Sequence, residues 1–148
     1  MNGASDRDGQ PGLTLQATAV AIDGRALMIR GAPGSGKSGL ALEMMARGAT
    51  LVADDGLHLS REGGLIVLRP PHPLRGLIEA RGLGLLSARF EEQARLVAVL
   101  DLDLAETQRF PPRRDTELLG QKVPLLYKFA SPYFPAALVQ YLRGERRD

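Results

Sequence analysis

The segment 31–38 constrains this chain more than any other, because it follows the pattern G-x-x-x-x-G-K-[ST] of a phosphate-binding loop, or P-loop. The pattern consists of Gly31, Ala32, Pro33, Gly34, Ser35, Gly36, Lys37 and Ser38. An apolar run at 26–29 precedes it and an apolar-periodic segment at 40–45 follows it, which predicts a strand, a glycine-rich loop and a helix in that order. The alternative is a glycine-rich turn that precedes a lysine by chance, and these flanking segments argue against it.

The chemistry of such a loop comes from its backbone. The first turn of a helix has unpaired N–H groups and the positive end of the helix dipole, so it stabilises a bound anion. Gly34 and Gly36 let the backbone approach phosphates without a Cβ in the way. We expect Lys37 to lie between the β- and γ-phosphates and Ser38 to offer its hydroxyl to Mg²⁺. The pattern therefore predicts a nucleotide-binding site.

The composition of the 148 residues is that of one soluble domain, with 44% apolar and 24% charged residues. The absence of cysteine excludes disulfides and thiolate metal sites and fits a reducing compartment. No apolar stretch approaches about 18 residues, and the N-terminus has no basic segment followed by an apolar one. We therefore expect a cytoplasmic protein with no membrane partner.

A net charge of only +2 and an aromatic fraction of 5% do not favour nucleic acid as a partner.

The order of patterns predicts a disordered leader at 1–12 and a single domain at 13–148. The predicted helices run from Lys37 to about Arg47-Gly48 and over 135–142. The predicted strands and hairpins are a hairpin across Asp23-Gly24, a strand at 50–53, a hairpin formed by 57–60 and 65–68, and a strand at 96–100. Residues 79–85 are predicted to form a glycine-broken loop, and Arg113-Arg114-Asp115 a solvated loop or, alternatively, a docking patch.

Two strand ends compete to supply the carboxylates that a bound metal needs. The strand at 96–100 is followed by Asp101, and the strand that ends at residue 53 is followed by Asp54 and Asp55. Two adjacent carboxylates repel each other unless a metal or a cation compensates their charge. A turn that begins at Asp54 could bring both into one cleft, so we favour this pair over Asp101.

Four segments in order, 31–38, 39–43, 47–55 and 79–85, carry a resemblance. They resemble the catalytic domain of the HPr kinase/phosphorylase family, whose pattern reads G-x-S-G-x-G-K-S-x-x-A-L-x-L-x-x-R-G-x-x-L-V-A-D-D, followed by E-x-R-G-L-G. The resemblance covers roughly residues 13–126 and is to the short form, which has the C-terminal catalytic domain only.

This resemblance implies an α/β fold, the P-loop domain of the phosphoenolpyruvate-carboxykinase-like type, assembled as a homo-oligomer and usually a hexamer. It implies phosphorylation of a serine on the phosphocarrier protein HPr of the phosphotransferase system, with ATP and Mg²⁺ as cofactors. The same site can catalyse phosphorolysis of that phosphoserine.

The resemblance also implies roles for single residues. Asp55 matches the group that accepts the proton of the serine hydroxyl, and Lys37 matches the phosphate-binding lysine. Arg109 matches a catalytic arginine across a gap in the pattern. The residues at the metal would be Ser38, Glu79 and the companion carboxylate Asp54.

The sequence departs from the family pattern in two places. Gln16 stands where short forms usually carry a histidine, and an amide cannot carry a proton back and forth. Residues 125–130 replace an arginine- and glycine-containing loop that longer members tie to phosphorylase action. Both departures favour a kinase with reduced phosphorolysis.

Two rival functions stay open at this point. One is a kinase for a small molecule on the same scaffold, and the other is a nucleotide-sensing regulatory module with little turnover, which Gln16 favours. We expect His58 and His72 to be structural or exposed, since neither has a second ligand at metal spacing. The predicted core face of the last helix consists of Leu138, Val139 and Leu142.

Overall fold

The computed structural model describes residues 12–144 and 146–148. Within them lie a nine-stranded mixed sheet, a separate two-stranded hairpin, two α-helices and a 3₁₀ turn at His72–Leu74. The strands are β1 Gly12–Leu15, β2 Thr18–Ile22, β3 Arg25–Arg30, β4 Thr50–Ala53, β5 Leu57–Glu62, β6 Leu65–Arg69, β7 Leu77–Ala80, β8 Gly84–Ser87, β9 Ala94–Ala105, β10 Asp115–Leu118 and β11 Gln121–Lys128; the helices are α1 Lys37–Met45 and α2 Phe134–Gly144. The predicted leader at 1–12 lies outside the described residues, apart from Gly12, which begins β1.

The predicted strand, loop and helix are present as β3, the P-loop and α1. Gly36 precedes the helix with φ 104°, a left-handed conformation that suits glycine because a side chain there is strained. The helix ends at Met45, and Gly48 lies in the turn that follows it, with a left-handed φ of 109° that suits glycine.

The sheet has the order β1-β5-β6-β9-β3-β2-β4, with β11 pairing with both β9 and β10. Only the pairs β3–β9 and β9–β11 are parallel among the described strands. In the first of these pairs Arg30, the last residue of β3, is opposite Asp101. The P-loop therefore begins beside the C-terminal half of β9, which brings Asp101 and the residues after it next to the loop.

The sheet buries both of its faces. In β3, Ala26 and Met28 pack into one apolar cluster, whereas Leu27 and Ile29 pack into a second cluster on the opposite face. Both helices belong to the second cluster, and they contact each other. The predicted core face of α2 is confirmed, since its buried residues are Leu138, Val139 and Leu142. The predicted α/β class is confirmed as a curled mixed sheet with two helices.

The prediction of a loop at 79–85 is wrong, because this segment belongs to the antiparallel hairpin β7–β8. Glu79 is opposite Leu85, and the turn between the strands contains Gly82 with φ 94°. The glycines that suggest a broken loop are the residues that make a tight turn feasible.

The strand predicted at 96–100 continues to Ala105. Leucines at 100, 102 and 104 alternate with Asp101 and Asp103, the two-residue period of a strand with one exposed side.

The prediction of a solvated loop at 113–115 is wrong for Arg114. Its guanidinium forms an ion pair with Glu106 and lies 4.0 Å from the ring centroid of Tyr127. The hydrogen bond from Arg114 holds the pKa of Glu106 below its ordinary value.

Candidate active site

The residue after β4, Asp54, makes three contacts that assemble the site. Its side chain is nearly buried, at 6% exposure. Oδ1 accepts hydrogen bonds from the hydroxyls of Ser38 at 2.7 Å and Thr18 at 2.8 Å, and Oδ2 accepts one from the backbone N–H of Glu79 at 3.0 Å. The carboxylate therefore connects the P-loop helix, β2 and the β7–β8 hairpin.

The neighbouring carboxylate, Asp55, is exposed. Its φ of 59° lies in the left-handed region, which aspartate and asparagine tolerate better than most residues. Its backbone N–H donates to the hydroxyl of Thr18 at 3.4 Å. The backbone turn at Asp55 leaves Asp54 directed at Ser38 while Asp55 faces solvent one residue further along.

The P-loop is held by its own lysine. Nζ of Lys37 donates hydrogen bonds to the carbonyl oxygens of Gly31 at 2.9 Å and Ala32 at 3.2 Å. Oγ of Ser35 is buried and has no hydrogen-bond partner within the described residues. A Cβ at Gly31 would lie 2.6 Å from this Oγ and 3.2 Å from Cβ of Leu102, so a side chain at residue 31 would displace Ser35 and Leu102.

The rival strand end is engaged elsewhere. Asp101 forms an ion pair with Arg30, with 3.0 Å between Nε and Oδ2, and its Oδ1 accepts from the backbone N–H of Asp103 at 2.9 Å. Asp101 is thus paired with Arg30, the last residue of β3, whereas Asp54 contacts the P-loop serine. This difference favours Asp54 as the carboxylate at a bound metal.

The two remaining predicted site residues, Glu79 and Arg109, lie in different parts of the fold. Glu79 is exposed on β7, and its backbone contact with Asp54 places it beside the site. Arg109 is exposed on the loop between β9 and β10, with its guanidinium 5.3 Å from the ring centroid of Phe110. It lines a separate cavity of about 590 Å³ formed by this loop, β11 and α2, and none of the P-loop residues lines that cavity.

Gln16 is exposed between β1 and β2. The carbonyl of the next residue, Ala17, accepts a hydrogen bond of 3.1 Å from the N–H of Gly56. This contact places the backbone that follows Gln16 beside the Asp55–Gly56 turn.

The donor set suits Mg²⁺. Among the described residues, no group of three or more histidine, cysteine, aspartate or glutamate side chains is arranged to hold a metal. Mg²⁺ does not need such a cage, because it usually binds one or two carboxylates together with waters and substrate phosphates. The hydroxyl of Ser38 and the carboxylate of Asp54, 2.7 Å apart, provide oxygen ligands of this kind.

Two residues of the site were not predicted from the sequence. Thr18 is fully buried and bonds to both aspartates of the pair, but in the sequence it is one polar residue at the start of an apolar strand. Asp103 accepts a hydrogen bond of 2.9 Å from the N–H of Ala32 in the P-loop. The leucine–aspartate alternation at 100–104 is a signal that the strand continues past residue 100, but the parallel pairing with β3 that brings Asp103 to the loop has no such signal.

Neither helix in the described part of the chain has the length and apolarity that crossing a bilayer requires.

Comparison with known proteins gives one consistent set of relatives. Residues 11–95 match the model of the HPr serine kinase C-terminal domain family. HPr kinase/phosphorylase of Bordetella pertussis is 45% identical over 80 residues, which cover 53% of this chain and 26% of that protein. HPr kinase/phosphorylase of Aromatoleum aromaticum is 39% identical over 128 residues, which cover 77% of this chain and 40% of that protein. The chain thus spans about a quarter to two-fifths of these relatives.

A solved structure, that of the Hpr(Ser) kinase/phosphatase from Coxiella burnetii, is similar in fold. It superposes with a TM-score of 0.75 at 23% identity, covering 90% of this chain and 95% of that chain. At this identity the similarity shows a shared fold.

Proposed function

The chain belongs to the HPr serine kinase C-terminal domain family, and from this premise we propose that it transfers the γ-phosphoryl group of ATP to a serine of an HPr-type phosphocarrier protein. The observation that carries the proposal is the hydrogen bond between Ser38 of the P-loop and Asp54, next to the exposed Asp55. This arrangement combines a phosphate cradle, oxygen ligands for a metal and an accessible base.

The proposed residues have separate tasks. Backbone N–H groups of 34–38 and the ammonium of Lys37 bind the phosphates, which compensates their charge as the terminal phosphoryl group leaves. Ser38, Asp54 and Glu79 would hold Mg²⁺, which neutralises charge on the β- and γ-phosphates when bound. We propose that Arg109 adds positive charge at the transferred group when substrates bind, by analogy with catalytic arginines of other phosphoryl-transfer enzymes. Because Arg109 lines the separate cavity, this role requires its exposed loop to move toward the P-loop.

Asp55 is the proposed base. Its carboxylate accepts the proton of the serine hydroxyl while the serine oxygen forms a bond to the γ-phosphorus. The bond from that phosphorus to the β–γ bridging oxygen breaks, and ADP leaves with its electron pair. An exposed base is accessible to a residue on the surface of a folded protein, which supports a protein acceptor over a metabolite enclosed in a deep pocket.

Phosphorolysis is proposed to be weak. In that reaction the protonated Asp55 would return the proton to the serine oxygen, and Gln16, next to Ala17 that bonds to Gly56, cannot supply a proton to Asp55. The same residue favours the second candidate, a nucleotide-sensing module that binds ATP or ADP with little turnover.

We also propose that the protein is a homo-oligomer and that it reacts with HPr in the cytoplasm. Light scattering tests the oligomeric state.

The experiment is a transfer assay with γ-labelled ATP, Mg²⁺ and purified HPr from the same organism, with an HPr variant lacking the acceptor serine as the control. Label on the serine of HPr and no label on the control protein is the expected result. Label on small molecules alone would favour a metabolite kinase. Nucleotide binding without transfer to any acceptor would favour the sensing module.

A further inference from the structure

One carboxylate beside the P-loop has no task in the proposed reaction. Asp103 accepts the backbone N–H of Ala32 with both oxygens, at 2.9 Å for Oδ2 and 3.2 Å for Oδ1. Ala32 is the second residue of the P-loop. The contact exists because β9 runs parallel to β3 and extends past the end of β3 at Arg30, so that its later residues lie beside the loop.

Asp103 is itself held in place. Its backbone N–H donates to Oδ1 of Asp101, and Oδ2 of the same aspartate pairs with Arg30. Arg30 at the end of β3 therefore contacts Asp101, and Asp101 contacts Asp103. Asp103 in turn contacts Ala32, two residues after Arg30 in the chain. Such a closed set of contacts fixes the direction in which the chain leaves β3.

The peptide group between Gly31 and Ala32 has both of its polar atoms occupied by charged side chains. Its N–H donates to Asp103, and its carbonyl oxygen accepts from Lys37 at 2.9 Å. Rotation of this peptide would break both contacts. Leu102, between the two aspartates, lies beside Gly31, since a Cβ at residue 31 would be 3.2 Å from its Cβ.

We propose that Asp103 is a positioning residue of the phosphate site: its carboxylate fixes the Gly31–Ala32 peptide and thereby the Gly31 carbonyl oxygen, which accepts a hydrogen bond from Lys37. The inference rests on the proposed nucleotide binding by this loop. Negative charge beside a triphosphate is unfavourable. The carboxylate therefore helps through its hydrogen bond, and a neutral acceptor in the same place serves nearly as well.

This reasoning predicts a specific pattern in two variants. Asp103→Ala removes the acceptor, and we expect the dissociation constant for MgADP to rise about tenfold. Asp103→Asn keeps an oxygen that accepts from Ala32, and we expect affinity within about threefold of the wild type. Glu117→Ala, which removes an exposed carboxylate on β10, is the control and leaves the affinity unchanged.

The opposite pattern would overturn the proposal. If Asp103 occupied an N–H group that a phosphate needs, both Asp103→Ala and Asp103→Asn would bind MgADP more tightly than the wild type. Unchanged affinity in Asp103→Ala would equally contradict a positioning role.

A second measurement on the full chain without nucleotide separates this inference from the proposed function. Amide hydrogen exchange at Ala32, followed by NMR, should accelerate about tenfold in Asp103→Ala, and Asp103→Asn should stay closer to the wild type. Unchanged exchange in Asp103→Ala would refute the contact on which the inference depends. If the wild-type chain failed to bind MgADP, the proposed function would be refuted, while the exchange rates would still decide whether Asp103 fixes the loop.

Discussion

The hydroxyl of Ser38 donates a hydrogen bond of 2.7 Å to Oδ1 of Asp54, which joins the first turn of α1 to the end of β4. The same oxygen accepts from Thr18, so a single buried carboxylate oxygen orients two hydroxyls. The P-loop serine is thereby held beside the carboxylate with which it is proposed to share a metal ion.

Replacing Asp54 by Asn tests this shared role. The amide keeps the shape of the side chain and one oxygen for the N–H of Glu79, but it removes the charge and presents an NH₂ group toward Ser38. We expect a folded protein whose apparent affinity for Mg²⁺ in the presence of ADP falls on the order of tenfold. Titration of nucleotide binding with Mg²⁺ measures it, and Asp115→Asn on the exposed side of β10 is the control. Equal Mg²⁺ dependence in both variants would remove Asp54 from the metal site.

Thr18→Val tests whether the buried hydroxyl stabilises the pair of aspartates. The change leaves Asp54 with one donor fewer and the N–H of Asp55 without its partner, at a cost of about 1–3 kcal/mol in the free energy of unfolding. Urea denaturation measures the loss. Thr107→Val, in an exposed loop, is the matched control and should change stability by less than about 0.5 kcal/mol. A similar effect of both changes would mean that the Thr18 hydroxyl is not a structural support.

The parts of the fold that could be predicted are those in which local pattern and tertiary environment agree. β4 coincides with the predicted strand at 50–53 because an apolar run of that length is buried on both faces. The helix after the P-loop begins at the predicted Lys37 and ends near the glycine that follows it. The Ser38–Asp54 contact follows from these two elements, since the motif supplies the serine and the strand end supplies the acid.

The rest depends on long-range pairing that a local pattern does not contain. The C-terminal half of β9 is a strand because β11 pairs with it in parallel, and the sequence of either strand alone does not reveal this. Thr18 becomes part of the site only because β2 pairs with β4, which brings two segments 36 residues apart into hydrogen-bond distance. The β7–β8 hairpin is not predicted by its sequence, because glycines such as Gly82 in its turn are also typical of loops.

Gly31→Ala tests the close packing of the P-loop entrance. The added Cβ would lie 2.6 Å from Oγ of Ser35 and 3.2 Å from Cβ of Leu102, so these side chains must move to accept it, at about 1–3 kcal/mol for overpacking. We expect nucleotide affinity, measured by calorimetry, to fall about tenfold or more. Gly39→Ala in α1 is the control, because its Cβ meets nothing within 4 Å and alanine favours a helix by about 1 kcal/mol. Wild-type affinity in Gly31→Ala would contradict the packing argument.

Gln16→His tests the departure from the family pattern. A histidine near the Asp55–Gly56 turn could supply Asp55 with the proton that the leaving serine oxygen takes up, so we expect phosphorolysis of phosphoserine-HPr to increase about tenfold or more. Release of pyrophosphate from phosphoserine-HPr and inorganic phosphate measures the reaction. Gln93→His, at an exposed position between β8 and β9, should leave the rate at the wild-type level. An unchanged rate in Gln16→His would separate this position from proton transfer.

The most direct test of the whole account compares binding and transfer in Asp55→Asn. Asparagine tolerates the φ of 59° at this position, so the turn should be kept while the base is lost. We predict a dissociation constant for MgATP within about twofold of the wild type and transfer to HPr slower by about a hundredfold or more. Transfer at the wild-type rate by this variant would contradict the assignment of Asp55, the exposed carboxylate next to Asp54, as the base.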